Sequence, residues 1–340
     1  MSYNQENYRR IRQEYEHKYL RAREDADRRR AEVTRALPAL AAIDRQLSTT
    51  GLELMRLSLE HGADSEARSA ALDALRQKNT ELQALRGRIL TDAGYPADYT
   101  ALRYECEACS DTGYLDDGKM CRCMRDKLVA AGYASSGLGA LLRQQTFDNY
   151  SLDYFKTDER TYRTMSHAYH TMREFAQQFS SGERENERRG ESLLLVGGTG
   201  LGKTHLSTAV ARTVLDAGFD VLYTSAVDLL GNFEMARFGN SGAAGEGSVT
   251  ADTSRYFDCD LLIIDDLGTE VANQFTISCL YNVINTRLST RRATIISTNL
   301  MQDELRRRYW DRITSRLFGE YKILLFLGTD VRAQKVKTGK

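Results

Sequence analysis

LLLVGGTGLGKT, residues 193–204, is the stretch on which the reading of this 340-residue chain turns. Leu193 to Val196 form an apolar run suited to a strand buried on both faces, and the run breaks into a glycine-rich loop closing on Lys-Thr. Gly197, Gly198, Thr199, Gly200, Leu201 and Gly202 allow successive backbone N–H groups to turn inward around phosphate oxygens. Lys203 is placed to reach the β- and γ-phosphates and Thr204 to offer its hydroxyl to Mg²⁺. His205 follows on the helix whose positive end faces the same anion. This is the spacing of a P-loop, so a bound nucleoside triphosphate is expected.

Outward from the loop, the pattern continues. Leu261-Leu262-Ile263-Ile264-Asp265-Asp266 is an apolar strand ending in two carboxylates, the Walker B pattern, with Asp265 expected to hold Mg²⁺ directly or through water. Asp266 stands where many such ATPases carry a glutamate that orients the attacking water. Its side chain is one methylene shorter, and Glu270 competes for the role. Thr294 to Asn299 is a further apolar strand with a polar tip, from which Asn299 can position water beside the γ-phosphate. Arg312 and Arg316 share one helix face, and an arginine that stabilises the transferred phosphoryl is often supplied by a neighbouring subunit. The apolar runs 193–196, 220–224, 260–265, 293–298 and 322–327 alternate with helical patterns, which predicts an α/β fold with a parallel sheet flanked by helices. The Gly/Ser-rich residues 239–250 and the charged stretch 182–191 read as surface loops.

The first 95 residues are rich in Arg, Glu, Ala and Leu. Tyr8, Ile11, Tyr15, Tyr19, Ala22 and Ala26 draw one apolar stripe at helical spacing, and Leu37, Leu40, Ile43 and Leu47 continue it past Pro38, where a kink or break is expected. A second stripe runs through Leu72, Leu75, Leu82, Leu85 and Ile89, after a turn at His61 to Ser65. The pattern predicts a helical hairpin or antiparallel coiled coil. Cys106 and Cys109 then form a C-x-x-C pair, and Cys121 and Cys123 a C-x-C pair. Four thiolates on a short hairpin suit structural Zn²⁺, because a module this small lacks a core of its own. Formal charge balances at zero, so nucleic-acid binding would need a local basic surface. Candidates are Arg306 to Arg308 and Lys335 to Lys340. No apolar run approaches the roughly 20 residues that span a bilayer, and a cytoplasmic location with no membrane partner is expected.

Taken in order, the P-loop with GKTHL, IIDDLGTE, ISTNL, SRLFG and the closing FLGTDVR resemble the DnaC/DnaI-like helicase-loader ATPases of the AAA+ superfamily and their IstB-like transposition relatives. The resemblance covers about 147–332, and the cysteine module is similar to the zinc-bearing region of Gram-positive loaders. It implies a lidless AAA+ domain over 146–340 and a zinc module and linker over 96–145, while the helical arm over 1–95, read from its periodicity, lies outside the resemblance. It also implies ATP and Mg²⁺ as ligands, low switch-like hydrolysis, self-association with Arg316 acting in trans, binding of single-stranded DNA, and delivery of a replicative hexameric helicase. DNA contacts in that group map here to Arg237 and Phe238 and to Asn273 and Phe275. The alternatives are an IstB-like transposition helper and a nucleotide-gated adaptor with little catalysis.

Overall fold

The computed structural model describes residues 3–59, 65–180, 191–238 and 253–338. The turn expected before Ser65, the charged stretch up to Gly190 and the Gly/Ser-rich segment 239–250 lie outside the described residues. The chain divides into two compact units, Arg12–Cys123 and Met1–Ile11 with Met124–Lys340.

The larger unit is built on five strands: β1 (Ser192–Gly197), β2 (Val221–Ser225), β3 (Leu261–Leu267), β4 (Ala293–Thr298) and β5 (Tyr321–Phe326). All pairings are parallel, in the order β2-β3-β4-β1-β5. The P-loop strand and the Walker B strand are thus separated by β4, which sets the tips of all three side by side. Burial alternates in the way two covered faces require. Leu193, Leu195, Leu261, Ile263 and Ile295 point into one core with helices α6 (Glu159–Ser180) and α7 (Lys203–Asp216). Leu194, Val196, Leu262, Ile264 and Ile296 point into the other, with α8 (Ala226–Phe238), α10 (Gln274–Ser289) and α11 (Gln302–Glu320). Each apolar run expected from the sequence forms a strand here, and the result is an α/β/α P-loop sandwich.

Two backbone features depart from simple periodicity. Arg287 on α10 is wholly buried, and its guanidinium donates to the carbonyls of Tyr256, Cys259 and Ala293 and to Thr294 Oγ1 at 2.6–3.0 Å. It fastens the short helix α9 (Arg255–Asp258), ahead of β3, to the turn ahead of β4. Trp310 interrupts α11 with φ 61°, a left-handed conformation that an exposed aromatic residue adopts only under local constraint. The unit also contains the short helix α5 (Leu141–Gln144), a 3₁₀ turn at Leu152–Phe155 and the closing helix α12 (Val331–Thr338).

The smaller unit contains most of α1 (Gln5–Ala36) together with α2 (Ala39–Leu59) and α3 (Ser65–Asp92). α1 stops before Leu37-Pro38, where the proline ring disfavours helix for the residue ahead of it. Tyr15, Ala22 and Ala26 of the expected stripe are buried, and Val33, which the stripe did not include, is buried with them. Leu40 and Ile43 pack with Leu82, Ile89 and Leu90 as an antiparallel hairpin, and Arg86 bridges it to Asp44 at 2.7 Å and to Thr100 Oγ1 at 2.9 Å. Further along α2, Leu52 and Met55 are 69% and 63% exposed. Arg29 holds the following segment through the carbonyls of Tyr99 and Ala101. α4 (Arg122–Ser135) starts beside the last two cysteines.

Candidate nucleotide site and cysteine cluster

β1 is hydrogen-bonded on both sides, and its last residue leaves no room for a side chain: a Cβ on Gly197 would stand 2.2 Å from Phe326 O. Gly200 and Gly202 take φ of 72° and 90°, the left-handed turn that only glycine adopts freely. α7 then starts at Lys203, so its free N–H groups open onto the loop. Lys203 is buried, and its ammonium donates to the carbonyls of Gly197 and Gly198 at 2.7 Å each. Burial pushes its pKa down, opposed by the nearby carboxylates of Asp266 and Asp265.

Asp265 gathers three elements. Its Oδ2 accepts from Thr204 Oγ1 at 2.8 Å and from the Tyr223 hydroxyl at 2.5 Å, and its Oδ1 accepts from Ser297 Oγ. Ser297 Oγ also accepts the Asp266 N–H at 2.9 Å. Burial and the Asp265 charge drive the Tyr223 phenol well above its ordinary range. Thr204 and Asp265 therefore present adjacent hard oxygen donors, the chemistry that suits Mg²⁺.

The two candidates for orienting water part company. Asp266, with φ 54°, is exposed and lines the cleft; desolvation and the adjoining Asp265 raise its carboxyl pKa. Glu270 is buried and fully engaged: Oε2 accepts the Gly268 N–H at 2.9 Å, Oε1 accepts the Tyr309 hydroxyl, and Arg308 Nε lies 3.6 Å away. Arg308 thus turns toward Glu270, and Arg306 pairs with Asp311, which removes them as a simple free basic cluster. Asn299 is exposed at the tip of β4, just past the register pair Val196–Thr298, beside the start of the P-loop.

The cleft is about 270 Å³ and is lined by Thr199 to His205, Asp266, Gln145, Asn149, Tyr150, Tyr154, Phe155 and Arg332. Tyr150 stacks 5.7 Å from Tyr169 and donates to Leu201 O, and its ring sits 2.6 Å from where a Cβ on Gly202 would lie. His205 Nε2 lies 2.8 Å from Thr146 O and its ring meets Tyr150 edge-on. This aromatic wall and Arg332 received no role from the sequence. The TFDNY stretch at 146–150 is their one local signal, an aromatic pair clustered ahead of an amphipathic helix.

Other named residues gather elsewhere. Arg316 lies over the Tyr281 ring at 4.6 Å and donates to Asn285 Oδ1 at 3.0 Å, while Arg312 is exposed on the same helix; neither lines the cleft. Arg237 stands 4.8 Å from the centre of the Phe275 ring, which joins two of the segments expected to meet DNA. Phe238 closes α8. Asn273 caps α10, accepting from the N–H groups of Phe275 and Thr276 at 2.9 Å. That accounts for its carbonyl oxygen locally.

In the smaller unit the sulfurs of Cys106, Cys109, Cys121 and Cys123 all lie within 4.8 Å of one another, with Cys106–Cys121 at 3.8 Å and Cys109–Cys123 at 3.6 Å. Four thiolates around one Zn²⁺ at about 2.3 Å stand about 3.8 Å apart, so the donor set fits that ion. The buried Asp111 carboxylate, on a residue with φ 56°, accepts the N–H groups of Glu105 and Cys106 at 2.9 and 2.8 Å and fixes the first knuckle.

Among the described residues no helix is long and apolar enough to cross a membrane. Over 232 residues the chain is 27% identical to the phage-like element PBSX protein XkdC of Bacillus subtilis, covering 63% of this chain and 79% of that protein. It is 31% identical over 125 residues to the insertion sequence ATP-binding protein y4iQ/y4nD/y4sD of Sinorhizobium fredii, 37% of this chain and 38% of that one. To the replicative helicase loader DnaC of Escherichia coli K12 it is 28% identical over 126 residues, 37% and 49% of the two chains. The matches thus span half or less of the last two relatives' length. Residues 184–317, which run from just before β1 into α11, match the IstB-like ATP binding protein family.

Proposed function

We propose that the chain is a cytoplasmic, ATP-dependent helicase loader of DNA replication, which binds ATP–Mg²⁺ and single-stranded DNA and delivers a replicative hexameric helicase. The observation that carries this reading is the convergence of Lys203, Thr204 and Asp266 on one cleft, with Asp265 bonded to Thr204 behind them, and the pairing of Arg237 with Phe275 between two helices of the same domain. Binding triphosphate draws the Lys203 ammonium off two carbonyls and onto phosphate oxygens. Thr204 and Asp265 would hold the Mg²⁺, which neutralises charge on the β- and γ-phosphates when bound. Asp266 orients the attacking water and accepts its proton, Asn299 meets the γ-phosphate, and Arg316 completes the site of a neighbouring copy. Glu270 braces the loop after β3. Arg237 supplies backbone charge and Phe275 a stacking face for bases, with Phe238 alongside in sequence and Asn273 holding the turn. The four cysteines carry structural zinc, and the helical arm with this module grips the helicase. Turnover is slow and switch-like.

The insertion-sequence relative and the family match favour a second reading, an IstB-like transposition helper. Affinity capture with the full chain separates the two. The loader reading expects a hexameric replicative helicase held with ATP and released by Lys203→Ala. Capture of a transposase in its place overturns it, and helicase capture indifferent to Lys203→Ala favours an adaptor.

A further inference from the structure

The first helix of the arm meets the cysteine cluster of the same unit. Tyr15, Lys18 and Tyr19 stand at helical spacing on one face of α1. Lys18 pairs with Glu105, 87 positions later in sequence and directly ahead of Cys106. Tyr19 stacks on Tyr104, with ring centroids 6.4 Å apart and planes inclined by 4°. One turn earlier, the buried Tyr15 hydrogen-bonds through its hydroxyl to the sulfur of Cys123 and is close enough to feel the charges of Cys109 and Cys106. The Lys18 ammonium lies 5.9 Å from the centre of the Tyr15 ring. One helix face therefore reaches the module at both ends, ahead of its first cysteine and at its last. The N–H groups of Glu105 and Cys106 are taken by Asp111, so the first knuckle is held by a carboxylate of its own and by α1.

Four thiolates around one dication leave negative charge that hydrogen-bond donors around the ligands must stabilise. A phenol hydroxyl directed at a thiolate is such a donor, and it is supplied here by the arm. We propose that Tyr15 is a positioning residue of this metal site: its hydroxyl donates to the Cys123 thiolate, and the face of α1 formed by Tyr15, Lys18 and Tyr19 closes the module, so that metal retention and the seating of α1 are one event. The proposal rests on the reading of the four cysteines as a zinc site. It gives the metal a task beyond folding its own hairpin, which is to fix the first helix of the arm in place.

The test uses the full chain loaded with zinc, and with Co²⁺ in its place, as wild type, Tyr15→Phe and Tyr19→Ala. Tyr15→Phe keeps the ring and removes only the hydroxyl. It is expected to weaken zinc retention against a chromogenic chelator by about 10- to 100-fold, the usual cost of losing a partner that orients a metal ligand. Its sulfur-to-cobalt charge-transfer band should move to longer wavelength, because a thiolate that loses a hydrogen bond gives up its electron more easily. Tyr19→Ala, which loosens α1 without touching the thiolate, should weaken zinc retention and leave the band in place. In the wild type, removing the metal should open α1 to trypsin around Lys18. Unchanged retention with an unchanged band in Tyr15→Phe, an equal band shift in Tyr19→Ala, or an α1 that stays protected without metal overturns the proposal. A wild-type chain that holds no metal overturns the zinc reading itself.

Discussion

Replacing Glu270 by glutamine separates bracing from catalysis at the end of β3. The carboxylate receives the Gly268 N–H on one oxygen and the Tyr309 hydroxyl on the other, and is 4% exposed. Glutamine keeps the shape but has one acceptor oxygen, so one of the two donors must face an NH₂ group. Losing one hydrogen bond to a charged acceptor costs about 1.5–3 kcal/mol, and turning the other into a neutral bond adds about 1 kcal/mol. The Arg308 pair adds little, because its side chain is 32% exposed and its Nε is 3.6 Å away. A total of about 2.5–4 kcal/mol corresponds to a fall in Tm of roughly 5–15 °C for a domain of this size. Asp266→Asn is the counterpart. Asparagine tolerates the left-handed backbone of that position, the side chain is exposed, and stability should move by less than about 0.5 kcal/mol. Hydrolysis should drop by about 10²–10⁴-fold. Circular-dichroism melting and phosphate release at saturating ATP read the two variants. If Glu270→Gln melts like wild type while hydrolysis collapses, or if Asp266→Asn hydrolyses normally, the division of labour is refuted.

Four further outcomes are expected. Arg316→Ala should keep nucleotide affinity and lose DNA-stimulated hydrolysis, and full stimulated activity would refute its role in trans. The purified chain should contain one zinc by elemental mass spectrometry; strong chelation or Cys109→Ser should expose residues near 100–123 to proteolysis, since metal affinity there is folding energy. Arg237→Ala and Phe275→Ala should each weaken single-stranded DNA binding by about 1–3 kcal/mol in a fluorescence titration. The double variant should fall short of the sum because the two side chains touch. Arg287→Met leaves several buried carbonyls without a donor and should lower stability by about 3–5 kcal/mol in urea unfolding.

The sheet was legible because each strand is an unbroken apolar run, and only burial on both faces calls for one. The P-loop was legible for a related reason: backbone amides do the binding, so the spacing of glycines carries the geometry. Side chains that act across the fold left no such trace. Tyr150 meets the loop through a ring packed under Gly202, 52 positions later in sequence, a distance at which no periodicity operates. Glu270 reads as a rival base from spacing alone, because the Tyr309 hydroxyl that occupies its carboxylate comes from α11, far along the chain. Asn273 matched both a DNA contact and a helix cap, and local hydrogen bonds favour the cap. Arg287 read as one more polar residue on an amphipathic helix, because its acceptors are main-chain carbonyls that sequence does not distinguish.

Asp265 ties Thr204 at the head of α7, Tyr223 on β2 and Ser297 on β4 to a single carboxylate. A divalent cation held there by Thr204 would have to share the carboxylate with the hydroxyls of Tyr223 and Ser297, so its arrival would bear on β2 and β4 at once. One of them leads directly into α8, where Arg237 lies near the far end. Inactivation by Asp265→Asn would therefore be ambiguous, because an amide loses the metal and also mismatches the hydroxyls. Tyr223→Phe is the cleaner instrument: it leaves the carboxylate intact and cuts the tether to β2 alone. The carboxylate is a latch between strand ends, tying β2 and β4 to the head of α7.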